Sequence, residues 1–267
     1  MIADNSQLRE TRTESQGGED FASTLATNTE IQHQEFLLGP DKVVSIYVPP
    51  DQISPDASEM ERSKTQLLDA YGSYRGRGDV IWPSSLQLAR LIANCPSFVK
   101  DRKVLDLGCG LGLVSLATIL GNPKHLVISD IDDQVLDLAE RSCANSIEEN
   151  NNRSMLQKLQ KQKLDWTNPS TWPSEEIEVI LASDILYDED ASNDVAKLIA
   201  HYLLSNHHEE EIVTKRAIIV DPINRENRDS FASSAAEFGL MVQASPFPGQ
   251  EDNFVLINVI PQEDYNA

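Results

Sequence analysis

The most restrictive feature of this sequence is a glycine-rich turn between an apolar run and a helical run. Residues 103–107 predict a buried strand, and Leu113 begins the helix that follows. Gly108, Gly110 and Gly112 lie between them. A glycine turn at the carboxyl end of a strand is where an open α/β sheet binds a nucleotide-like ligand, because backbone without a Cβ atom can approach the ligand closely. The turn therefore predicts an α/β fold with a ligand site at this position.

Strand-like and helix-like segments alternate through the rest of the chain. Further strands are predicted at residues 126–130, 162–165, 179–183, 217–221, 240–244 and 253–259, and helices at 84–94, 134–146, 191–204 and 228–238. Strands separated by helices form a parallel sheet with helices on both faces. The two closing strands have no helix between them, so they predict an antiparallel edge. We predict a Rossmann-like α/β fold: a mostly parallel sheet of seven strands, an antiparallel final strand and helices on both faces.

The spacing around the turn indicates which ligand it binds. The glycines follow a GxGxG pattern, which differs from the GxGxxG of dinucleotide sites. Asp106 precedes them; its carboxylate would repel a pyrophosphate but can pair with a cationic amine. Asp130 comes 24 residues later, at the end of the second strand, where a carboxylate can accept hydrogen bonds from both ribose hydroxyls. S-adenosylmethionine combines a ribose, an adenine and an amino-acid end without phosphate. The alternative is that the glycines only form a tight turn.

The net charge of −21 comes from 22 Lys+Arg and 43 Asp+Glu, and it argues against a nucleic-acid binder that neutralises phosphates. The acidity is local, at −8 over residues 1–60 and −10 over residues 168–212. Residues 1–40 have the composition of a disordered acidic tail. Residues 41–267 are predicted as one domain, with an extension at 41–100 that contains a short strand, and a cofactor-binding core at 101–260.

Other features limit the environment of the protein. No stretch approaches the roughly 18 apolar residues of a membrane span, and the polar amino terminus is not a secretory signal, so a cytoplasmic monomer is predicted. A nuclear or organellar location stays open. Cys95, Cys109 and Cys143 lack CxxC spacing, and adjacent histidines at His207 and His208 are typical of a solvated run, so no metal site is predicted.

Several motifs together resemble the family-16 group of seven-β-strand methyltransferases, which are mainly protein-lysine methyltransferases. The motifs are Trp82-Pro83, the glycine turn, Ser129-Asp-Ile-Asp132, Leu164-Asp-Trp166 and Ser183-Asp-Ile-Leu-Tyr187. The pairing of Trp-Pro with Asp-x-x-Tyr carries most of this resemblance, which spans residues 80–259. It implies a methyltransferase fold with S-adenosylmethionine as cofactor.

The resemblance also implies roles for single residues. Trp82 would wall the cofactor site, Gly108 and Gly110 would approach the methionine end, Asp130 would hold the ribose and Trp166 would flank the adenine. The predicted cofactor-binding set is completed by Asp106, Gly112, Ile131, Asp165 and Ser183. Core packing is the alternative for both tryptophans.

Asp184 and Tyr187 follow the fourth strand of the predicted sheet and are the predicted catalytic residues. Methyl transfer to a lysine requires a neutral amine, and with an ordinary pKa of about 10.4 its deprotonation at pH 7 costs about 4.6 kcal/mol. Asp184 would hold the arriving ammonium and aim its nitrogen, while Tyr187 would offer a hydroxyl and a ring face. The alternatives are a helix cap for Asp184 and packing for Tyr187.

The sequence therefore predicts a methyltransferase that modifies a lysine of a protein substrate. The acidic residues around Asp184 would attract a substrate with a basic segment. Three alternatives stay open: a histidine or small-molecule acceptor, a non-catalytic binding module with the same fold, and a nicotinamide-dependent oxidoreductase. The GxGxG spacing argues against the last of these.

Overall fold

A hairpin and a larger sheet make up the β structure of the chain in a computed structural model, which describes residues 32–48, 80–205 and 214–262. The strands are β1 (Gln32–Gly39), β2 (Lys42–Val48), β3 (Lys103–Leu107), β4 (His125–Asp130), β5 (Leu159–Lys163), β6 (Val179–Ser183), β7 (Arg216–Pro222), β8 (Leu240–Pro246) and β9 (Phe254–Pro261). The α-helices in these ranges are α1 (Pro83–Asn94), α2 (Leu113–Leu120), α3 (Asp133–Glu149), α4 (Glu189–Leu203) and α5 (Arg228–Glu237).

Seven strands form the larger sheet, in the order β5-β4-β3-β6-β7-β9-β8. The first five in this order run parallel, while β9 pairs antiparallel with both β7 and β8. The predicted fold class is confirmed. From β3 the chain continues outward on one side through β4 and β5, and returns on the other side through β6 and β7. This reversal lies between β3 and β6, and in open α/β sheets it opens a crevice at the carboxyl ends of the strands.

Helices cover both faces of this sheet. On one face, α1, α2 and α3 bury apolar side chains such as Leu88, Leu116 and Leu136 in a shared core. On the other face, α4 and α5 contribute a second core that includes Leu198 and Phe231. Because β3 lies between the two cores, its side chains are buried from Val104 to Leu107 on both faces. No helix in the described ranges is long and apolar enough to cross a membrane.

The amino-terminal hairpin corrects the predicted tail. Residues 32–39 were assigned to the disordered segment 1–40, but they form β1, which pairs with β2 around a two-residue turn. Tyr47 of β2 connects the hairpin to α3 by three contacts. Its backbone amide donates to Ser142 Oγ at 2.9 Å, and its hydroxyl accepts from the side-chain amide of Asn145. The Arg141 guanidinium lies 4.3 Å from the centroid of the Tyr47 ring. The hairpin therefore belongs to the domain. The rest of the predicted tail, and His207 and His208, lie outside the described residues.

One strand of the sheet is displaced from its predicted position. The third strand was placed at residues 162–165, but β5 spans Leu159–Lys163. Its sequence, Leu-Gln-Lys-Gln-Lys, has little apolar pattern because it is an edge strand, paired only with β4 in the described sheet. The shift leaves Asp165 and Trp166 in the loop that follows the strand.

Candidate active site

The carboxyl ends of β3, β4 and β6 bring most of the predicted site residues to one edge of the sheet. Gly108 follows β3, Asp130 ends β4, and Asp184 follows β6. An ideal Cβ built on Gly108 would lie 3.5 Å from Cγ2 of Ile185. The glycine turn and the Asp-x-x-Tyr motif therefore face each other across the β3–β6 crevice.

The three glycines of the turn all have positive φ, but they do different work. Gly108 has φ 67° and Gly110 has φ 53°, so both need the left-handed conformation that glycine adopts most easily. Gly112, at φ 86°, is buried against α3, and a Cβ there would lie 3.1 Å from the Cβ of Ala139. The structure thus gives Gly112 a packing role between α2 and α3, and its contact with a cofactor stays a prediction.

Asp130 anchors the glycine turn as well as offering a carboxylate to the crevice. Its Oδ2 accepts from the Gly110 amide and its Oδ1 from the Asp132 amide, both at 3.1 Å. Burial raises the pKa of Asp130, and these amides oppose the shift. Each oxygen can accept a further hydrogen bond, as two ribose hydroxyls would require. Ile131 is 54% exposed directly beside it, an apolar surface suited to an adenine.

Asp106 lies beneath the turn rather than in the crevice. Its residue is only 2% exposed, and Oδ2 accepts a 2.5 Å hydrogen bond from the Ser115 hydroxyl of α2. Burial raises the pKa of Asp106 to about 7, although the bond from Ser115 opposes the shift. The predicted contact with a cofactor amine stays a prediction, and Ser115 is a partner that sequence reasoning missed.

The loop after β5 crosses toward the β6 side. The Asp165 side chain closes its own turn, since Oδ1 accepts from the Thr167 amide at 2.9 Å and from its hydroxyl at 2.7 Å. The Trp166 ring is half-buried against the second core, and its centroid lies 6.2 Å from that of Tyr187. The predicted adenine neighbour and the predicted acceptor residue are therefore in contact range of each other.

Asp184 differs most from its predicted environment, because it is buried and ion-paired. It has φ 57°, and its amide donates to the Val220 carbonyl of β7 at 3.0 Å. Its Oδ1 pairs with the Arg225 guanidinium, and its Oδ2 accepts from the Ser84 hydroxyl at 3.3 Å. The side chain is 4% exposed. Residues distant in sequence therefore enclose the carboxylate, which an aspartate after a strand does not by itself predict.

A second carboxylate, Asp221 of β7, adjoins the same arginine. Its Oδ2 lies 3.7 Å from Arg225 Nε, and its side chain is fully buried. Burial raises the pKa of Asp221 to about 7, with the Arg228 charge opposing. Sequence reasoning missed Arg225 and Asp221 as site residues. The available signal was their i,i+4 spacing, which begins at the last residue of the predicted strand 217–221.

Trp82 stands at the start of α1, where Pro83 occupies the first helical position. The Trp82 carbonyl accepts from the Ser85 amide at 3.0 Å and from its hydroxyl at 2.7 Å. Ser84, which follows Pro83, donates its hydroxyl hydrogen bond to Asp184. The Trp-Pro and Asp-x-x-Tyr motifs are thus physically joined. Ser183 ends β6 beside this junction, partly exposed.

These residues fit S-adenosylmethionine. Gly108 leaves a space that a side chain would narrow, Asp130 has acceptor capacity for a ribose, and Ile131 and Trp166 offer apolar surface for a base. The Asp130 carboxylate at the crevice suits a ligand without phosphate. Asp130 would hold the ribose, and Gly108 and Gly110 would receive the amino-acid end.

Comparisons with known proteins agree with this arrangement. The electron transfer flavoprotein beta subunit lysine methyltransferase of Danio rerio is 28% identical over 171 residues, which are 64% of this chain and 58% of that protein. The protein-lysine N-methyltransferase EFM3 of Chaetomium thermophilum is 26% identical over 207 residues, 71% of this chain and 56% of that protein. The chain thus spans somewhat more than half the length of these curated relatives.

Among solved structures, a methyltransferase from Pyrococcus furiosus aligns with a TM-score of 0.49 at 12% identity, covering 77% of this chain and 98% of that one. That likeness is too distant to bear on the reaction. The model of the lysine methyltransferase family, in contrast, matches residues 62–234, which is most of the chain. The predicted family is confirmed: the chain belongs to the lysine methyltransferase family, and S-adenosylmethionine is its cofactor.

Proposed function

We propose that this protein transfers a methyl group from S-adenosylmethionine to the side-chain nitrogen of a lysine in a protein substrate. The observation that carries the proposal is the approach of the Asp-x-x-Tyr motif to the glycine turn, where Ile185 lies 3.5 Å from the Cβ position of Gly108. This contact supports an acceptor side formed by the Asp-x-x-Tyr motif next to the crevice that would hold the methyl donor. The names of the two relatives, both lysine methyltransferases, support the same acceptor.

The residues of the chain divide into a donor side and an acceptor side. When bound, S-adenosylmethionine supplies an electrophilic methyl group on a sulfonium. Asp130 orients the ribose and the glycine turn accommodates the amino-acid end, so the sulfonium would face β6. The acceptor ammonium would release its proton to water, and the neutral nitrogen would then form the new bond to the methyl carbon while the carbon–sulfur bond breaks and leaves its electron pair on sulfur. Positioning of this kind supplies much of the acceleration in bimolecular reactions.

On the acceptor side, Tyr187 and Trp166 form an aromatic surface and Asp184 lies beside it. Tyr187 is 36% exposed, so its ring is accessible to an incoming side chain. An aromatic face attracts an alkylammonium group, and a hydroxyl can accept a hydrogen bond from the amine. Asp184 is buried and paired, but its carboxylate still has lone pairs that can accept a hydrogen bond from one N–H of the amine. It would orient the nitrogen after the lysine has entered the site, and would not bind it from solvent.

The proposal extends to the substrate and the setting. A substrate with a basic segment suits the excess of acidic residues at 168–212, since complementary charge speeds encounter. A monomeric, cytoplasmic enzyme is the simplest form of this proposal. A histidine or small-molecule acceptor and a catalytically inactive binding module are the competing functions.

Incubation of the protein with labelled S-adenosylmethionine and a cell extract tests the function directly. We expect label on a lysine of an extract protein, identified by mass spectrometry of the labelled band. Label on histidine or on a small molecule would replace the acceptor class. Cofactor binding by calorimetry without any labelled product, in extracts from several growth conditions, would contradict the enzyme assignment and favour a binding module.

A further inference from the structure

We infer that Arg225 is a positioning residue for the acceptor side: its guanidinium holds the Asp184 carboxylate and offsets its negative charge, so that the acceptor amine is presented more readily in its neutral form. The inference rests on the proposed function. It concerns a residue outside the motifs that identify the family, in the turn between β7 and α5.

The geometry places Arg225 between two carboxylates from adjacent strand ends. One guanidinium nitrogen, Nη2, pairs with Oδ1 of Asp184, and Nε lies 3.7 Å from Oδ2 of Asp221. The arginine side chain is 12% exposed, against 4% for Asp184 and 0% for Asp221. Ionic groups this deeply buried interact more strongly than surface charges, because water screens them less. The charge on Arg225 therefore has a direct effect on Asp184.

The position of this network gives it a role in the reaction rather than in stability alone. Asp184 immediately precedes Ile185, which lies against Gly108 at the glycine turn. In the proposed function, the amine approaches the methyl donor from the β6 side, next to the strand end that carries Asp184. A carboxylate whose charge is not offset favours the ammonium form and raises the pKa of a neighbouring amine. The ammonium form has no lone pair for the attack, so such a shift would slow transfer.

Arg225 reduces this effect, while two other charged residues adjust it. Asp221 shares the guanidinium, and burial raises its pKa to about 7, so it carries its negative charge mainly above neutral pH. Arg228 influences Asp221, but its own guanidinium donates to the backbone carbonyls of Pro222 and Ile223. Arg225 is thus the arginine with a direct ion pair to Asp184.

A pair of cofactor analogues measures the charge at this position without an acceptor. Sinefungin carries a primary amine where the sulfonium methyl would be, and S-adenosylhomocysteine carries no group there. At pH 8 a primary amine with a pKa of about 10 is protonated, so sinefungin places a cation at the transfer position. The ratio of the two dissociation constants, measured by isothermal titration, reports the local preference for a cation.

The variants are chosen to separate charge from structure. In Arg225→Gln, Asp184 loses its counter-charge, and we expect the preference for sinefungin over S-adenosylhomocysteine to rise by about tenfold. Arg225→Lys keeps the charge and should retain a ratio close to that of the wild type. Arg141→Gln is the control: it removes an exposed arginine of α3 that lies against the Tyr47 ring of the amino-terminal hairpin, away from Asp184 and Asp221, and its ratio should not change.

Asp221→Asn provides a second test if Arg225→Gln does not fold. In this variant the negative charge of Asp221 is absent, so the Arg225 guanidinium offsets the charge of Asp184 alone. The preference for sinefungin over S-adenosylhomocysteine should then fall by about threefold at pH 8. An equal loss of affinity for both analogues in Arg225→Gln, or a rise of the ratio in Asp221→Asn, would overturn the inference. The predicted ratio changes without any methylated product would instead refute the proposed function and leave the electrostatic role of Arg225 intact.

Discussion

At the residue scale, the glycine turn contains two different requirements for glycine. Gly108 leaves space beside Ile185, whereas Gly112 is pressed against Ala139 of α3. Both have positive φ, so the sequence pattern alone does not distinguish them. The distinction follows from which residue of the turn meets another helix, and that is decided by the packing of α2 on α3.

This difference predicts unequal effects of alanine within and outside the turn. Gly112→Ala should lower the free energy of unfolding by about 2–4 kcal/mol, because it combines a left-handed φ with a Cβ only 3.1 Å from Ala139. Gly249→Ala is the control: φ is 76° there, but nothing lies within 4 Å of the added atom, so only the backbone cost of about 1 kcal/mol applies. Urea unfolding of both variants tests this, and equal losses would contradict the packing role.

Tyr187 allows a cleaner test of the acceptor side than Asp184 does. Removal of the Asp184 carboxylate would leave Arg225 buried beside an apolar gap, so lost stability would obscure lost activity. Tyr187→Phe keeps the ring and removes only the hydroxyl. We expect methyl transfer to fall about tenfold, the value of one hydrogen bond in the transition state, with cofactor affinity unchanged.

Steady-state assays with the labelled acceptor, beside calorimetry with S-adenosylhomocysteine, measure both quantities. The matched control is Tyr47→Phe, which deletes a hydroxyl bonded to Asn145 on the amino-terminal hairpin. It should change stability but not the catalytic constant of the folded enzyme. Full activity in Tyr187→Phe would assign this tyrosine to packing against Trp166.

At the scale of elements, caps at the carboxyl edge begin the helices that follow β4 and β6. Asp132 accepts from the Gln134 amide at 2.8 Å to begin α3, and Asp188 accepts from the Asp190 amide at 3.0 Å to begin α4. Part of the acidity at this edge therefore has a local structural cause, because carboxylates stabilise the amino ends of helices. Asp130 and Asp184 lie at the same edge, and the roles proposed for them concern the crevice instead.

The cap of α3 can be tested against its neighbour in sequence. Asp132→Ala should reduce the free energy of unfolding by about 1 kcal/mol, since it removes an acceptor for otherwise unpaired amides. Asp133→Ala removes an exposed carboxylate that pairs with Lys163 on the surface, and should lower the free energy of unfolding less than Asp132→Ala does, because solvent screens such a pair. Thermal unfolding of the two variants in the same buffer compares them. A larger loss in Asp133→Ala would assign the start of the helix to a different residue.

Strong local patterns allowed most elements to be predicted, and weak ones caused the errors. β6 was predicted with its observed bounds because all its side chains but the last are buried and apolar. β5 was displaced because an edge strand of alternating Gln and Lys has little hydrophobic period. β1 was assigned to the tail on composition, although Phe36 and Leu38 alternate with exposed residues. The sequence itself does not alternate, because Phe36, Leu37 and Leu38 are consecutive apolar residues, and only the pairing with β2 shows the strand.

At the scale of the whole molecule, burial of two carboxylates in the core edges couples stability to pH. Burial raises the pKa of Asp106 and of Asp221 from the ordinary 3.8 of an aspartate to about 7. Between these values the folded chain keeps protons that the unfolded chain has released. The free energy of unfolding therefore falls as the pH rises from about 4 to about 7, and changes little from this cause above that range.

Asp106→Asn should remove the contribution of Asp106 to the pH dependence of stability in the cofactor-free protein. Relative to the wild type, we expect the variant to gain stability between pH 5 and pH 8, by at most about 3 kcal/mol, because an amide has no proton to release. Asp229→Asn, at an exposed position in the first turn of α5, is the control and should leave the pH dependence as it is. Parallel pH curves for Asp106→Asn and the wild type would contradict the effect of burial.

The sheet architecture and the glycine turn could be inferred from local sequence patterns, because side-chain periodicity and glycine spacing act over a few residues. The family could be inferred from the resemblance of short motifs. The environment of Asp184 could not. Arg225 lies 41 positions from it and Ser84 lies 100 positions from it, and only the order of β3, β6 and β7 in the sheet brings the three together. The charge, exposure and partners of a carboxylate depend on its neighbours in space. Only the tertiary structure therefore determined that Asp184 is a buried, ion-paired residue.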